Sequence, residues 1–214
     1  VETMSDAMYL NSFDKFLEDP NISMNPLNVV ASYSKNSTLP LAIFYRNHGH
    51  NVFVILDNTL ESKKIAEQLK ANEFTDMQII YLEQGGKSIE SIEDLILGED
   101  YLHAVNQTYE IKLRKEGFRN LSKEEVLSRN KKGIIDSLKD IWYEHRDDGW
   151  YNFDVEEIAR YICEKIALKE AEFLSEKTKD QFRGLFRLIA ERIRQHQNMT
   201  AHVGLTKFQR SKPR

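Results

Sequence analysis

The sequence predicts an α/β unit, a parallel sheet with helices on both faces, followed by a helical C-terminal extension. Three observations predict it. The stretch NVFVILDNTLES holds a continuous apolar run from Val52 to Leu56 that stops at Asp57 and turns helical from Thr59. Such a run, β-branched and aromatic and bounded by turn residues, suits a strand buried on both faces. Strand-like and helix-like stretches alternate through the first half as β-α-β-α-β-α-β-loop-α, the order a parallel sheet requires. From about Leu121 the periodicity is helical throughout. The expected division is an α/β domain over residues 1–115 and a helical extension over 116–214.

Val1-Glu2-Thr3 reads as the end of a strand. Ser5 is a good N-cap for a helix from about Asp6 to Leu17, with Met8, Leu10, Phe13, Phe16 and Leu17 as its apolar set. Asp19-Pro20-Asn21 ends it. Leu27 to Tyr33 (LNVVASY) reads as a strand, Ser34 to Ser37 as a polar turn, and Thr38 to about Asn47 as a helix with Pro40 in its first turn. His48-Gly49-His50 precedes the central strand. A helix from near Thr59 places Leu60, Ile65, Ala66 and Leu69 on one side. Met77 to Leu82 (MQIIYL) is the next strand, and Gly85-Gly86 a flexible loop. SIEDLILGEDYLHAVNQTYEI then reads as a helical turn leading into a helix from about Asp100. Ser122-Lys123-Glu124-Glu125 is a capping-box signature. Lys132 to Glu144, Asp154 to Leu174 and Thr178 to His196 are helical by period.

Composition narrows the partners. The 214 residues carry a formal net charge of −4, which argues against a protein that coats nucleic acid over its whole surface. Cys163 is the single cysteine, so an intramolecular disulfide and a thiolate zinc site are excluded and a reducing, cytoplasmic compartment is expected. No run is long and apolar enough to span a bilayer, and the start lacks a signal-peptide pattern. A chain beginning at Val1 is expected to be processed or cut from a longer one.

Asp57 closes a buried strand just before a helix, the edge on which open α/β sheets place their chemistry. A second reading makes this stretch only a helix cap, a task that Asn58 or Thr59 performs equally well. Glu2, Asp6 and the Glu93-Asp94 pair fall at the same kind of position. On one sheet edge these carboxylates would converge, and clustered carboxylates at neutral pH are usually held together by a divalent cation. Oxygen-only ligands favour Mg²⁺ or Mn²⁺, which would suit phosphodiester chemistry. Taken singly, Glu2, Asp6, Glu93 and Asp94 each read more readily as acids favouring helix N-termini, a reading that weakens when all of them fall on one edge.

The stretches VETMSDAMYL, NVFVILDNTLESKKIAEQL and SIEDLILGEDYLHAV resemble, in order, the Toprim nuclease domain of the OLD (overcoming lysogenisation defect) family of ATP-dependent nucleases. That resemblance implies a Toprim-like sheet over the first half and a DNA endonuclease using Mg²⁺ or Mn²⁺. Glu2 and Asp6 would be metal ligands or the general base, Asp57 the first acid of a DxD motif, and Glu93 and Asp94 part of the later acidic motif. It further implies an ATPase domain, N-terminal or separate, and a role in anti-phage defence. The chain departs from the family pattern at Thr3, where Gly is usual, and at Thr59, where the second DxD acid belongs. It departs again at Asp154, where a Lys is sought. A hydroxyl at position 59 is a poor ligand for a hard cation, and Glu61 substitutes only in a displaced turn. The alternative is a catalytically degenerate module used for DNA binding or complex assembly. A receiver-like phosphoacceptor at Asp57 lacks the acidic pair and the late Lys that such a fold needs.

The remaining residues of chemical interest read mostly as structural. His48, His50, His103, His145, His196 and His202 form no HxxxH or HExxH pattern. Cys163 shares a periodic helix with Ile162 and Ile166, as a small buried apolar residue does. Trp142, Trp150 and Tyr151 surround the turn Asp147-Asp148-Gly149, with packing the default and base stacking the alternative. Arg183, Arg187, Arg192 and Arg194, then Lys207, Arg210, Lys212 and Arg214, make the C-terminal segment basic: a phosphate-tracking face or a solvated helix and tail. Phe182, Leu185, Phe186, Ile189 and Ile193 serve either a homodimer interface or a core.

Overall fold

The computed structural model describes residues 1–20, 22, 27–84, 87–129, 133–150 and 152–210, without the side chains of 84, 87, 88, 111, 115 and 200–210. Its helices are α1 (Met4–Leu17), α2 (Lys35–Asn47), α3 (Leu60–Ala71), α4 (Gly98–Lys112), α5 (Lys123–Leu127), α6 (Ile134–Glu144), α7 (Val155–Ala167) and α8 (Glu176–Arg210). The strands are β1 (Val54–Leu56), β2 (Ile79–Tyr81), β3 (Glu83–Gln84) and β4 (Lys87–Ser88). β1 pairs with β2 in parallel, Ile55 opposite Ile80, and β3 pairs with β4 antiparallel. The Gly85-Gly86 loop lies outside the described residues.

The expected α/β architecture is corrected by this topology. The chain is mostly helical, and its parallel sheet among the described residues has only two strands of three residues each. Leu27 to Tyr33 forms no strand. Among the described residues its backbone meets the start of the chain only through Ser32 N–H donating to Val1 C=O at 2.9 Å and the Val1 amino group donating to Val30 C=O at 3.1 Å, and Tyr33 turns left-handed at φ 64°. One backbone bridge is not a ladder, and Leu27 and Val30 stay exposed. Two short strands cannot form the layer that helices cover on both faces.

Helices supply the core instead. α1 packs along α7, α4 along α7, and α1 against α8. Tyr9, Leu10 and Phe13 meet Ile158, Ile162, Phe182 and Phe186 in one buried cluster, drawn from both sides of the expected boundary near residue 115. The rings of Phe13 and Phe182 stack 3.7 Å apart and nearly parallel. Phe182, Leu185, Phe186 and Ile189 therefore belong to the core. A smaller cluster joins α2, β1, α3 and β2 through Ala42, Val54, Leu56, Ile65, Ala66, Leu69 and Ile79.

Element ends follow local chemistry. Thr3, not Ser5, caps α1, with Thr3 and Asp6 forming a capping box. Ser34 caps α2, so that helix starts three residues before Thr38 and Pro40 lies beyond its first turn. α7 stops at Ala167 rather than Leu174, where Lys169 turns left-handed at φ 60°. Thr178 and Ser175 both donate to Asp100, fastening the start of α8 to α4. Trp142 and Trp150 pack with Tyr109, Phe118 and Phe153, and Tyr151 lies outside the described residues. No helix among the described residues is long and apolar enough to cross a membrane.

Candidate functional site

Several helix starts open onto one cleft. Thr3, Ser5 and Asp6 from α1, Lys35 from α2, Thr59 before α3, Gly133, Asp136 and Lys139 around α6, and Glu156 from α7 line it. So do Asp57, Ser91, Glu93 and Asp94. Its volume is about 480 Å³. Helix N-termini present uncompensated N–H groups and favour negative charge nearby, from protein carboxylates or from a ligand.

Each predicted acid reaches this place by a different route. Asp57 follows β1, and Thr59 rather than Asp57 caps α3, accepting from Ser62 N–H at 3.2 Å. The capping task therefore does not explain Asp57. Glu2 is 1 % exposed, and its Oε1 accepts from the Ser62 hydroxyl at 2.7 Å and from Asp57 N–H at 3.3 Å. Asp6 Oδ2 accepts from Thr3 N–H at 2.8 Å, so it caps α1 and lines the cleft at once. Asp94 does the same for the short 3₁₀ turn Ile92–Leu95, accepting from Ser91 and Glu90 N–H at 3.2 Å each. Glu93, 4 % exposed, is hydrogen-bonded to the Ser5 and Ser91 hydroxyls.

The electrostatics show how tightly these acids are confined. Burial, then the nearby Glu2 and Asp6 charges, push the Asp57 carboxyl up to about 8, with Lys35 opposing. Burial and Asp6 push Glu93 up to about 7. Asp6 and Asp94 are also raised, first by burial. Glu2 Oε2 and Glu93 Oε1 are buried without a hydrogen-bond partner among the described residues. A buried carboxylate oxygen left unpaired is costly, and a cation or a proton relieves it. The donor set, all carboxylate and hydroxyl oxygen, fits Mg²⁺ or Mn²⁺.

The acids do not, however, converge as a finished cage. Among the described residues, no three His, Cys, Asp or Glu side chains stand ready around a single metal position. Asp6 and Asp94 are turned onto backbone N–H groups, and the ammonium of Lys35 stands among Glu2, Asp57 and Glu61.

Lys35 is the residue that reading the sequence missed. Its signal lay in Ser34, a capping residue, which makes Lys35 the first residue of a helix rather than part of a polar turn. Ser62, fully buried, was missed as well, although a Ser one turn into an amphipathic helix among charged residues offers little to notice. Asp154, where a Lys was sought, caps α7 by accepting from Glu156 N–H at 2.9 Å. Burial pushes the Cys163 thiol up, as suits a packed side chain. Of the basic residues on α8, Arg183 pairs with Asp180 and Glu176 and Arg192 reaches Met77. Lys207 and Arg210 have undescribed side chains, and Lys212 and Arg214 lie outside the described residues.

No protein-family model matches the chain, and neither a curated protein nor a solved structure gives a significant match. The case for function therefore rests on the cleft.

Proposed function

We propose that this cleft binds Mg²⁺ or Mn²⁺ and hydrolyses phosphodiester bonds in DNA. The observation that carries the reading is the confinement of Asp6, Asp57, Glu93 and Asp94 to one cleft, with Glu2 buried behind Asp57 and one buried carboxylate oxygen each of Glu2 and Glu93 without a hydrogen bond. Asp6, Glu93 and Asp94 would hold the ion, with Asp57 across the cleft from them and Glu2 behind Asp57. A bound divalent ion would polarise a phosphoryl oxygen and lower the pKa of attacking water. The protein's own part is to hold the carboxylates together, with Glu2 anchored by Ser62, and to seat phosphate oxygens. Lys35, Lys139 and the surrounding helix starts suit that second task. The resemblance to OLD-type nucleases supports DNA as the substrate, and an ATPase partner and anti-phage role belong to the same proposal.

A second reading, a degenerate DNA-binding or assembly module, is favoured by Thr59. Its hydroxyl is committed to capping α3 and accepts from Lys35 at 3.3 Å, so it offers no carboxylate to a metal. Supercoiled plasmid incubated with Mg²⁺, then Mn²⁺, separates the two. The nuclease reading expects metal-dependent nicking that Asp57→Asn and Glu2→Gln abolish. Absence of nicking with either ion, together with salt-sensitive DNA binding that survives both substitutions, would establish the module instead.

A further inference from the structure

Of the two lysines that line the cleft, Lys35 and Lys139, Lys35 is the one whose ammonium stands among the acids. Its Nζ stands 3.6 Å from Glu2 Oε2, 4.0 Å from Asp57 Oδ2 and 3.5 Å from Glu61 Oε2. Glu2 Oε2 has no hydrogen bond, so this ammonium is the charge that faces it. The backbone fixes where Lys35 starts. Ser34 caps α2, and the Ser32 hydroxyl bonds both Ser34 C=O and Thr38 Oγ1, so the first turn of α2 is tied down. Thr59 completes the arrangement, since a hydroxyl accepts from an ammonium without adding charge.

The other side of the cleft is different. Among the described residues no Lys or Arg forms an ion pair with Asp6, Glu93 or Asp94, yet Glu93 Oε1 is buried and unpaired. Two cations spaced as in a two-metal site, about 4 Å apart, repel strongly wherever water is partly excluded. An ammonium on the Glu2–Asp57 side therefore opposes a divalent ion there and leaves the Glu93 side open.

We infer that Lys35 takes the place of one divalent cation, so that the cleft binds a single Mg²⁺ or Mn²⁺, on its Asp6–Glu93–Asp94 side. The inference rests on the metal-dependent reading above and deepens it: the centre joins one ion and one tethered ammonium rather than two ions.

The test is a Mn²⁺ titration of the whole chain, with free Mn²⁺ followed by its EPR signal. One bound ion per chain is expected for the wild type and for Lys35→Arg, and a second for Lys35→Met. Glu93→Gln is expected to weaken the single ion at least tenfold, and it tests the side of binding even if Lys35→Met does not fold. Two ions in the wild type, or no second ion in a folded Lys35→Met, would overturn the role of Lys35 and leave the metal reading standing. An ion that Glu93→Gln leaves undisturbed would overturn the assigned side. A wild type that binds no Mn²⁺ overturns the metal reading, and this inference with it.

Discussion

Glu2 and Ser62, sixty residues apart, share a 2.7 Å hydrogen bond inside the protein. It ties the start of the chain to the first turn of α3 and holds the Glu2 carboxylate behind Asp57. Breaking it tests the architecture of the cleft without touching a cleft-lining acid. Ser62→Ala leaves Glu2 Oε1 with only the long bond from Asp57 N–H, and bonds to buried charged groups contribute about 1.5–3 kcal/mol. The urea midpoint is expected to fall by a matching amount, while Ser62→Thr recovers part of it. An unchanged midpoint for Ser62→Ala would mean that the bond contributes nothing net.

Stability should depend on pH in an unusual direction. Asp57 and Glu93 titrate near 8 and 7 in the fold but near ordinary carboxylate values when unfolded. Between those limits the folded state binds more protons, so stability is full below about pH 4 for these groups and declines as pH rises toward 8. Each group contributes a slope of at most about 1.4 kcal/mol per pH unit. Glu99, Glu144 and Glu176 shift the other way but are fully exposed, so their opposing effect is screened. Urea midpoints measured from pH 5 to 8 without metal should fall, and millimolar Mn²⁺ should flatten the fall. A midpoint that rises across this range would contradict the confinement of these acids.

Asp100 is expected to be a stability residue with no part in the cleft. Its Oδ2 accepts from Ser175 N–H at 2.9 Å, Ser175 Oγ at 2.7 Å and Thr178 Oγ1 at 2.6 Å. Asp100→Ala strands buried donors at the start of α8, a loss of about 3–5 kcal/mol. The measurement is the urea midpoint together with Mn²⁺ binding in the remaining folded protein. Weakened Mn²⁺ binding at full fold would place Asp100 in the site after all.

The stacked pair Phe13 and Phe182 tests whether the two expected halves fold as one. Both are fully buried, and truncating either to Ala should cost about 3–5 kcal/mol. The double mutant should be less destabilised than the sum by about 0.5–1.5 kcal/mol. Unfolding should remain a single transition by both far-UV and aromatic signals. Two separated transitions would show halves that are independent despite this contact.

Local sequence signals, which act within about one helical turn, were the legible ones. MQIIYL contains β2, the run before Asp57 contains β1, and Ser122 caps α5 as its spacing implies. The acids Glu2, Asp6, Asp57, Glu93 and Asp94 were readable because each stands beside a helix start or strand end; the last four line the cleft, and Glu2 is buried behind Asp57. Leu27 to Tyr33 failed as a strand because an apolar β-branched stretch specifies an extended backbone but not a partner for its N–H and C=O groups.

Sequence alone thus determined most helices, the cap of α5 and the acids at helix and strand ends, since these depend on neighbours along the chain. Tertiary structure alone decided that the parallel sheet has two strands among the described residues, and that helices from both halves share one core. It also decided that Lys35, 33 positions from Glu2 and 22 from Asp57, supplies the charge that faces them. The physical reason is range. A cap or a periodic face is set within a few residues, whereas ladders, cores and ion pairs are set by which distant segments exclude water together.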